Sequence, residues 1–123
     1  MTGSAAVGVL AELLHRWRQA FDAHRPSEMI ALFSGDALFQ GIEPELRRGR
    51  EQISDYYARV PAGVTARATV LSAGWLGRGI VHGFADLTFT TPAGDTHPVR
   101  LSVVAGQEAD RWLIRHYHAA SRR

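Results

Sequence analysis

Residues 17–39 read WRQAFDAHRPSEMIALFSGDALF, and the spacing of the apolar residues changes within that run. Its first part completes a pattern that begins near Ala5. Val9, Leu10, Leu13, Leu14, Trp17, Ala20 and Phe21 recur at one, three and four residues, which predicts an amphipathic helix over about 5–23. RPSEMIALF then predicts a second, short helix. Pro26 suits its first turn, Ser27 is a candidate cap, and Glu28 suits the positive end of the helix dipole. DALFQG predicts a strand ending at Gly41. Helix, helix and strand in so short a space place the helices at the start of an α+β domain.

Downstream, GREQISDYYARV predicts a third helix, stopped by Pro61 and Gly63. Residues 64–120 are rich in Val, Thr, Phe and Trp, and LGRG, PAGD and GQEAD punctuate them at hairpin spacing. They predict antiparallel strands over about 64–76, 80–91, 96–105 and 111–120. The expected architecture is a single domain over 1–123, with helices packed on one face of a curved antiparallel sheet that encloses a pocket.

Composition narrows the chemistry. At 123 residues, 46% hydrophobic and 21% charged, the chain suits one globular domain. Without cysteine there is no disulfide, thiolate catalysis or cysteine metal site. All 14 basic residues are arginine, which removes Schiff-base chemistry and the P-loop. The lack of Lys and Asn, both with AT-rich codons, fits a GC-rich bacterial genome. The net charge is only +2, and the dense basic run Arg47, Arg48, Arg50 has no interleaved aromatics, so no nucleic-acid partner is expected. The N-terminus has no basic leader region and Glu12 interrupts it; with no membrane-length apolar run, a cytoplasmic protein is expected.

The order of elements resembles the nuclear-transport-factor-2-like superfamily, and within it the SnoaL-like and ketosteroid-isomerase-like proteins. Residues 17–39 resemble their helix–helix–strand opening and GREQISDYY their third helix. RWLIRHYHAAS resembles the final strand of the calcium/calmodulin-dependent kinase II association domain, and the chain is similar also to SgcJ/EcaC-type proteins. The resemblance covers nearly the whole chain and implies a cone-shaped α+β fold. It does not imply one activity, because this fold hosts many. Ketosteroid isomerases need a helix tyrosine, a general-base aspartate and a protonated aspartate. The matching positions here are Trp17, Gly41 and Ser102, so that chemistry is argued against. Tyr57 falls where those enzymes have a pocket tyrosine, and reads equally as a core tyrosine with its hydroxyl bonded to a neighbour.

Strand parity places Trp112, Ile114, His116 and His118 on one face, and Leu113, Arg115, Tyr117 and Ala119 on the other. The resemblance turns the second set into the cone and both histidines outward, toward a face where the superfamily commonly dimerises. His116 and His118 lack an obvious third ligand, His82 and His97 being the candidates, so neither metal nor cofactor is expected.

Arg115 on that face, with Arg100 and Ser102 inward by the isomerase match, would add donors to Tyr117 and Tyr57 inside walls made of Trp17, Phe21, Phe33 and Phe39. Arginine inside an apolar cone must be paired or bound to an anion. The expected ligand is therefore a small organic anion or polyketide-like molecule. In the alternative, Arg100 and Arg115 pair with Asp86, Glu51 or Asp55 and serve structure alone. The functional expectation is a SnoaL-like binding protein or biosynthetic enzyme acting as a homodimer; the alternative is a non-catalytic association module. His15 and His24 read as solvent-facing, Asp22 and Asp36 as helix-end and turn residues, and Trp75 as a gate or an interface residue.

Overall fold

A computed structural model describes residues 3–122, which leaves Arg123 outside them. α1 (Gly3–Asp22) buries Leu10, Leu13, Leu14, Trp17 and Phe21, the residues that carry the helical periodicity. α2 (Pro26–Ile30) starts with its proline at the first turn, but its cap is Arg25, with no side-chain hydrogen bond. Ser27 lies inside the helix and does not cap it. Glu28 pairs instead with Arg25 at 3.2 Å.

β1 (Phe33–Gln40) begins earlier than the sequence suggested, because Phe33 and Ser34 already lie buried in the sheet. A short β2 (Leu46–Arg48) and α3 (Gly49–Ala58) follow. β2 falls in the basic run, whose charges conceal a strand. β3 (Thr65–Gly77), β4 (Ile80–Thr90), β5 (Thr96–Glu108) and β6 (Arg111–Ser121) complete the chain close to the expected strands.

The six strands form one open sheet in the order β2-β1-β6-β5-β4-β3. The sheet is mixed rather than wholly antiparallel: β1 runs parallel to β6, while the other pairs are antiparallel. The helices cover its concave face. At Gly83 a Cβ would come within 2.7 Å of Leu10 Cδ1, so the missing side chain lets α1 lie close on β4.

Bulges decide which side chains enter the cone. Val104 pairs with His116, yet the next residue, Ala105, pairs with Ile114. Arg115 is therefore the extra residue of a bulge, where strand parity restarts. Ile114 and Tyr117 both point inward and are buried, whereas Arg115 and His116 are both exposed. A similar shift on β3 leaves Leu71 unpaired between Val70 and Ser72.

Candidate ligand site at the mouth of the cone

An aromatic stack fills the deep end of the cone. Trp17 and Phe21, four residues apart on α1, stack with centroids 5.1 Å apart. Phe39 of β1 lies nearly flat on Tyr117 of β6, at 4.6 Å and 10°. Phe33 closes against Phe39 at 5.8 Å, and Phe89 of β4 meets Phe21 at 5.3 Å.

A cavity of about 180 Å³ remains at the open end. Phe21, Phe89, Tyr117 and Ala119 line its sheet-and-helix side, Tyr56 and Tyr57 come from α3, and Ile42, Val60, Pro61 and Val64 form the lip. A groove of about 260 Å³ lies between β2, β1 and β6, lined in part by Leu38, Leu46, Arg47, His116 and His118, and two larger ones lie along α1. Both are lined by charged side chains that include the Arg16–Glu12 and Arg25–Glu28 pairs. The mouth cavity is apolar with a few converging hydroxyls, which is the usual character of a small-molecule site.

Those hydroxyls interact. The Trp17 indole N–H donates to the Tyr57 oxygen at 2.9 Å, and the Tyr117 phenol lies near enough to Tyr57 for each to influence the other's ionisation. An indole nitrogen only donates, whereas a phenol both donates and accepts. Three groups thus bring three hydrogens to at most two bonds among themselves. One phenolic O–H is left without an acceptor among the described residues, and both phenols line the cavity. Burial pushes the Tyr57 phenol far above its ordinary value, with the Trp17 bond opposing it. Burial also raises Tyr117 strongly, helped by its neighbours Tyr57 and Tyr56. Tyr56 is raised by burial, against the pull of the Ile42 amide that donates to its hydroxyl at 3.0 Å. Near neutral pH all three are uncharged donors.

Trp17, Phe21, Phe39, Tyr57 and Tyr117 are thus brought together inside the cone. Arg100, Ser102 and Arg115 are not. The inward face of β5 is Val99, Leu101, Val103 and Ala105, so Arg100 and Ser102 lie on the outer face. The isomerase match had misplaced them by one residue. Arg100 Nε donates to Asp86 at 2.7 Å across the outer face, which is the structural alternative. Arg115 leaves the cone at the bulge and lies across Gly106, where a Cβ would meet its Cδ at 2.5 Å. No carboxylate lines the mouth cavity.

Ile114 is also corrected: it is fully buried in the core, not part of an outer surface. Trp112, half-buried, meets Trp75 edge-on at 6.0 Å. His82, His116 and His118 are all exposed. Among the described residues no three His, Asp or Glu side chains converge as metal ligands.

The lip residues Ile42, Val60 and Val64, together with Tyr56 and Phe89, were missed as site residues. Strand alternation would have found Phe89. The lip depends on how the α3–β3 loop folds back, and its anchors are long-range: Gly63 N–H donates to His24 Nε2 at 2.9 Å and Ala66 N–H to Asp22 at 2.8 Å. Both partners had been read only as surface or helix-end residues.

Residues 10–121 match the SnoaL-like domain family. The chain belongs to that family. No functionally curated protein matches this SnoaL-like chain. Solved structures with the same fold include an NTF2-like protein of unknown function from Pseudomonas putida, at 16% identity over 98% of this chain and 89% of that one, TM-score 0.81. A ketosteroid isomerase-like protein from Erwinia carotovora atroseptica is 14% identical, with 95% and 96% covered and a TM-score of 0.80. ActVI-ORFA from Streptomyces coelicolor is 13% identical, with 94% and 96% covered and a TM-score of 0.78. At these identities the likeness is one of fold.

Proposed function

We propose that this SnoaL-like protein binds a small, uncharged ring compound at the mouth of its cone. The ring fills the apolar cavity, and a carbonyl or similar oxygen accepts the unspent phenolic hydrogen of the Tyr57–Tyr117 pair. That unspent hydrogen carries the reading. A buried donor without a partner costs about 1–3 kcal/mol, so a ligand acceptor has something to gain there. Size supports one ring. An apolar cavity of about 150 Å³ holds a benzene-sized molecule, and this one is about 180 Å³. A polyketide-like ligand would seat one ring and lay the rest over the lip. The outward placement of Arg100 and Arg115 removes the reason to prefer an anion.

Thermal-shift and calorimetric titration with acetophenone and with benzoate tests this. Acetophenone is expected to bind, benzoate at least tenfold more weakly, and Tyr57→Phe to weaken the ketone. Equal or tighter binding of benzoate overturns the reading.

Alongside ligand binding, we propose homodimer formation, the property the association-module reading emphasises. Leu38, Leu46 and Phe84 point away from the helices, and Phe84 is 51% exposed. A second copy covering this face would remove a large apolar patch from water. Sedimentation at micromolar concentration is expected to show a dimer that Phe84→Glu splits; a wild-type monomer contradicts it.

A further inference from the structure

Beyond the lining residues Phe89 and Ala119, the inward face of the sheet carries two polar residues that the fold leaves half used. Phe89, which lines the cavity, pairs with His97 of β5, so the two side chains share the inward face. Ser121 follows Ala119, another lining residue, two positions along the inward face of β6. The contact between them confirms the shared face: His97 Nε2 lies 2.8 Å from Ser121 Oγ. Both residues are exposed, just outside the lip.

Their hydrogen bond leaves a defined remainder. If Ser121 donates to Nε2, the free groups are the His97 Nδ1–H and lone pairs on Oγ. If Nε2–H donates to Oγ, the free groups are the Ser121 O–H and the Nδ1 lone pair. In either tautomer the neutral pair presents one donor and one acceptor, and neither has a further side-chain partner among the described residues. A hydroxyl, which donates and accepts at one atom, complements such a pair. A carboxylate only accepts and would leave the pair's acceptor facing it.

We infer that His97 and Ser121 form a second polar subsite, which selects ligands bearing a hydroxyl on an arm that reaches out of the cavity. This inference rests on the proposed ring site and narrows it to a substrate class: a single-ring carbonyl compound with a hydroxylated side chain. The arm must have length. Tyr117 and Ser121 lie four positions apart on one strand, about 13 Å between Cα atoms at the usual rise. A bare ring on the Tyr57–Tyr117 donor therefore does not reach the pair.

The test uses acetophenone and a series of para-substituted acetophenones. Their arms increase in length and end in a hydroxyl, each matched to the same arm ending in methyl. Binding is measured by calorimetry at pH 8. At the arm length that spans the gap, the hydroxyl probe is expected to bind roughly three- to tenfold tighter than its methyl match, the worth of one hydrogen bond. The His97→Ala/Ser121→Ala double variant is expected to lose that gain while binding the methyl probes like wild type. Both residues are exposed, and an unchanged melting temperature confirms that the variant is folded. No hydroxyl gain at any length, or a gain kept by the double variant, overturns the subsite but leaves the ring site standing. Failure of every probe, acetophenone included, overturns both.

Discussion

The two faces of the sheet hold the same kinds of residue in opposite circumstances. On the inner face, Trp17, Tyr57 and Tyr117 are buried, and the Trp17 indole donates to Tyr57. On the outer face, Asp86 pairs with Arg100 at 2.7 Å and with Arg122 at 3.6 Å, beside exposed Phe84 and His118. The mouth cavity on the inner face thus has neutral donors, with the buried Arg47 behind the Tyr56 ring at 5.6 Å and paired with Glu45, and the outer face has paired charges around apolar residues. A pocket lined by the first suits an uncharged ligand. A surface built like the second suits another protein surface, whose polar rim stays wet.

Bulges keep the two faces distinct. Without the extra residue at position 115, either Ile114 or Tyr117 would leave the cone. Glutamate at Ile114 separates the faces most sharply. Because Ile114 is fully buried, an unpaired carboxylate there is expected to cost about 4 kcal/mol or more and abolish cooperative folding. Phe84→Glu, on the outside, is expected to leave the monomer's stability within about 0.5 kcal/mol while dissociating the dimer. Circular dichroism melts and sedimentation together check both. A folded Ile114→Glu monomer would return Ile114 to the interface.

Tyr57→Phe probes the inner chain. It strands the buried Trp17 N–H, so a loss of about 1–3 kcal/mol is expected in denaturant melts. The same phenols make stability depend on alkaline pH. Their folded pKa values lie above the unfolded value of about 10, so unfolded phenols ionise first. Stability is therefore complete below about pH 10 and falls as pH rises beyond it, by up to about 1.4 kcal/mol per pH unit for each phenol. Tyr57→Phe is expected to flatten that fall. A melting temperature that stays constant from pH 9 to about 11.5 would contradict the burial of the phenols.

His24 is a smaller test, at the lip. It holds a left-handed backbone, φ 53°, while accepting the Gly63 N–H. His24→Ala loses the bond and keeps the strain, whereas His24→Gly loses the bond and relieves the strain. The glycine variant is expected to be about 1 kcal/mol more stable than the alanine variant. Equal melting temperatures would show that the strain is not felt.

The smallest effect is expected at Arg100. Its side chain is 44% exposed, so its ion pair with Asp86 is strongly screened. Arg100→Ala is expected to cost at most about 1 kcal/mol and to leave acetophenone binding unchanged. A loss of ligand affinity would revive the arginine pocket.

The fold was legible because helical spacing in residues 5–23 and hairpin punctuation after residue 64 are local signals. The aromatic part of the site was legible for the same reason: Trp17 and Phe21 follow from helical phase, Tyr117 from the final strand. The arginines were misread because parity was carried through Arg115 as though the strand were regular. A bulge has no composition of its own here; Arg115 is an ordinary strand residue left without a partner where β6 pairs with β5. Arg100 and Ser102 were misplaced by a one-residue error in register, which inverts a whole face. The lip was invisible because its anchors, His24 to Gly63 and Asp22 to Ala66, join residues far apart in the chain.

In the proposed complex, the unspent phenolic hydrogen receives the ligand. The chain has three tryptophans, and one of them reports on that hydrogen directly. Trp17 donates to Tyr57, while Trp75 and Trp112 pack together elsewhere. In a proton–nitrogen NMR titration with acetophenone, a ketone bonded to the phenol pair would polarise the chain and strengthen the Trp17 bond. The Trp17 indole signal is expected to move downfield and saturate, while those of Trp75 and Trp112 stay in place. A stationary Trp17 signal at saturating ketone, or movement confined to Trp75 and Trp112, would contradict it.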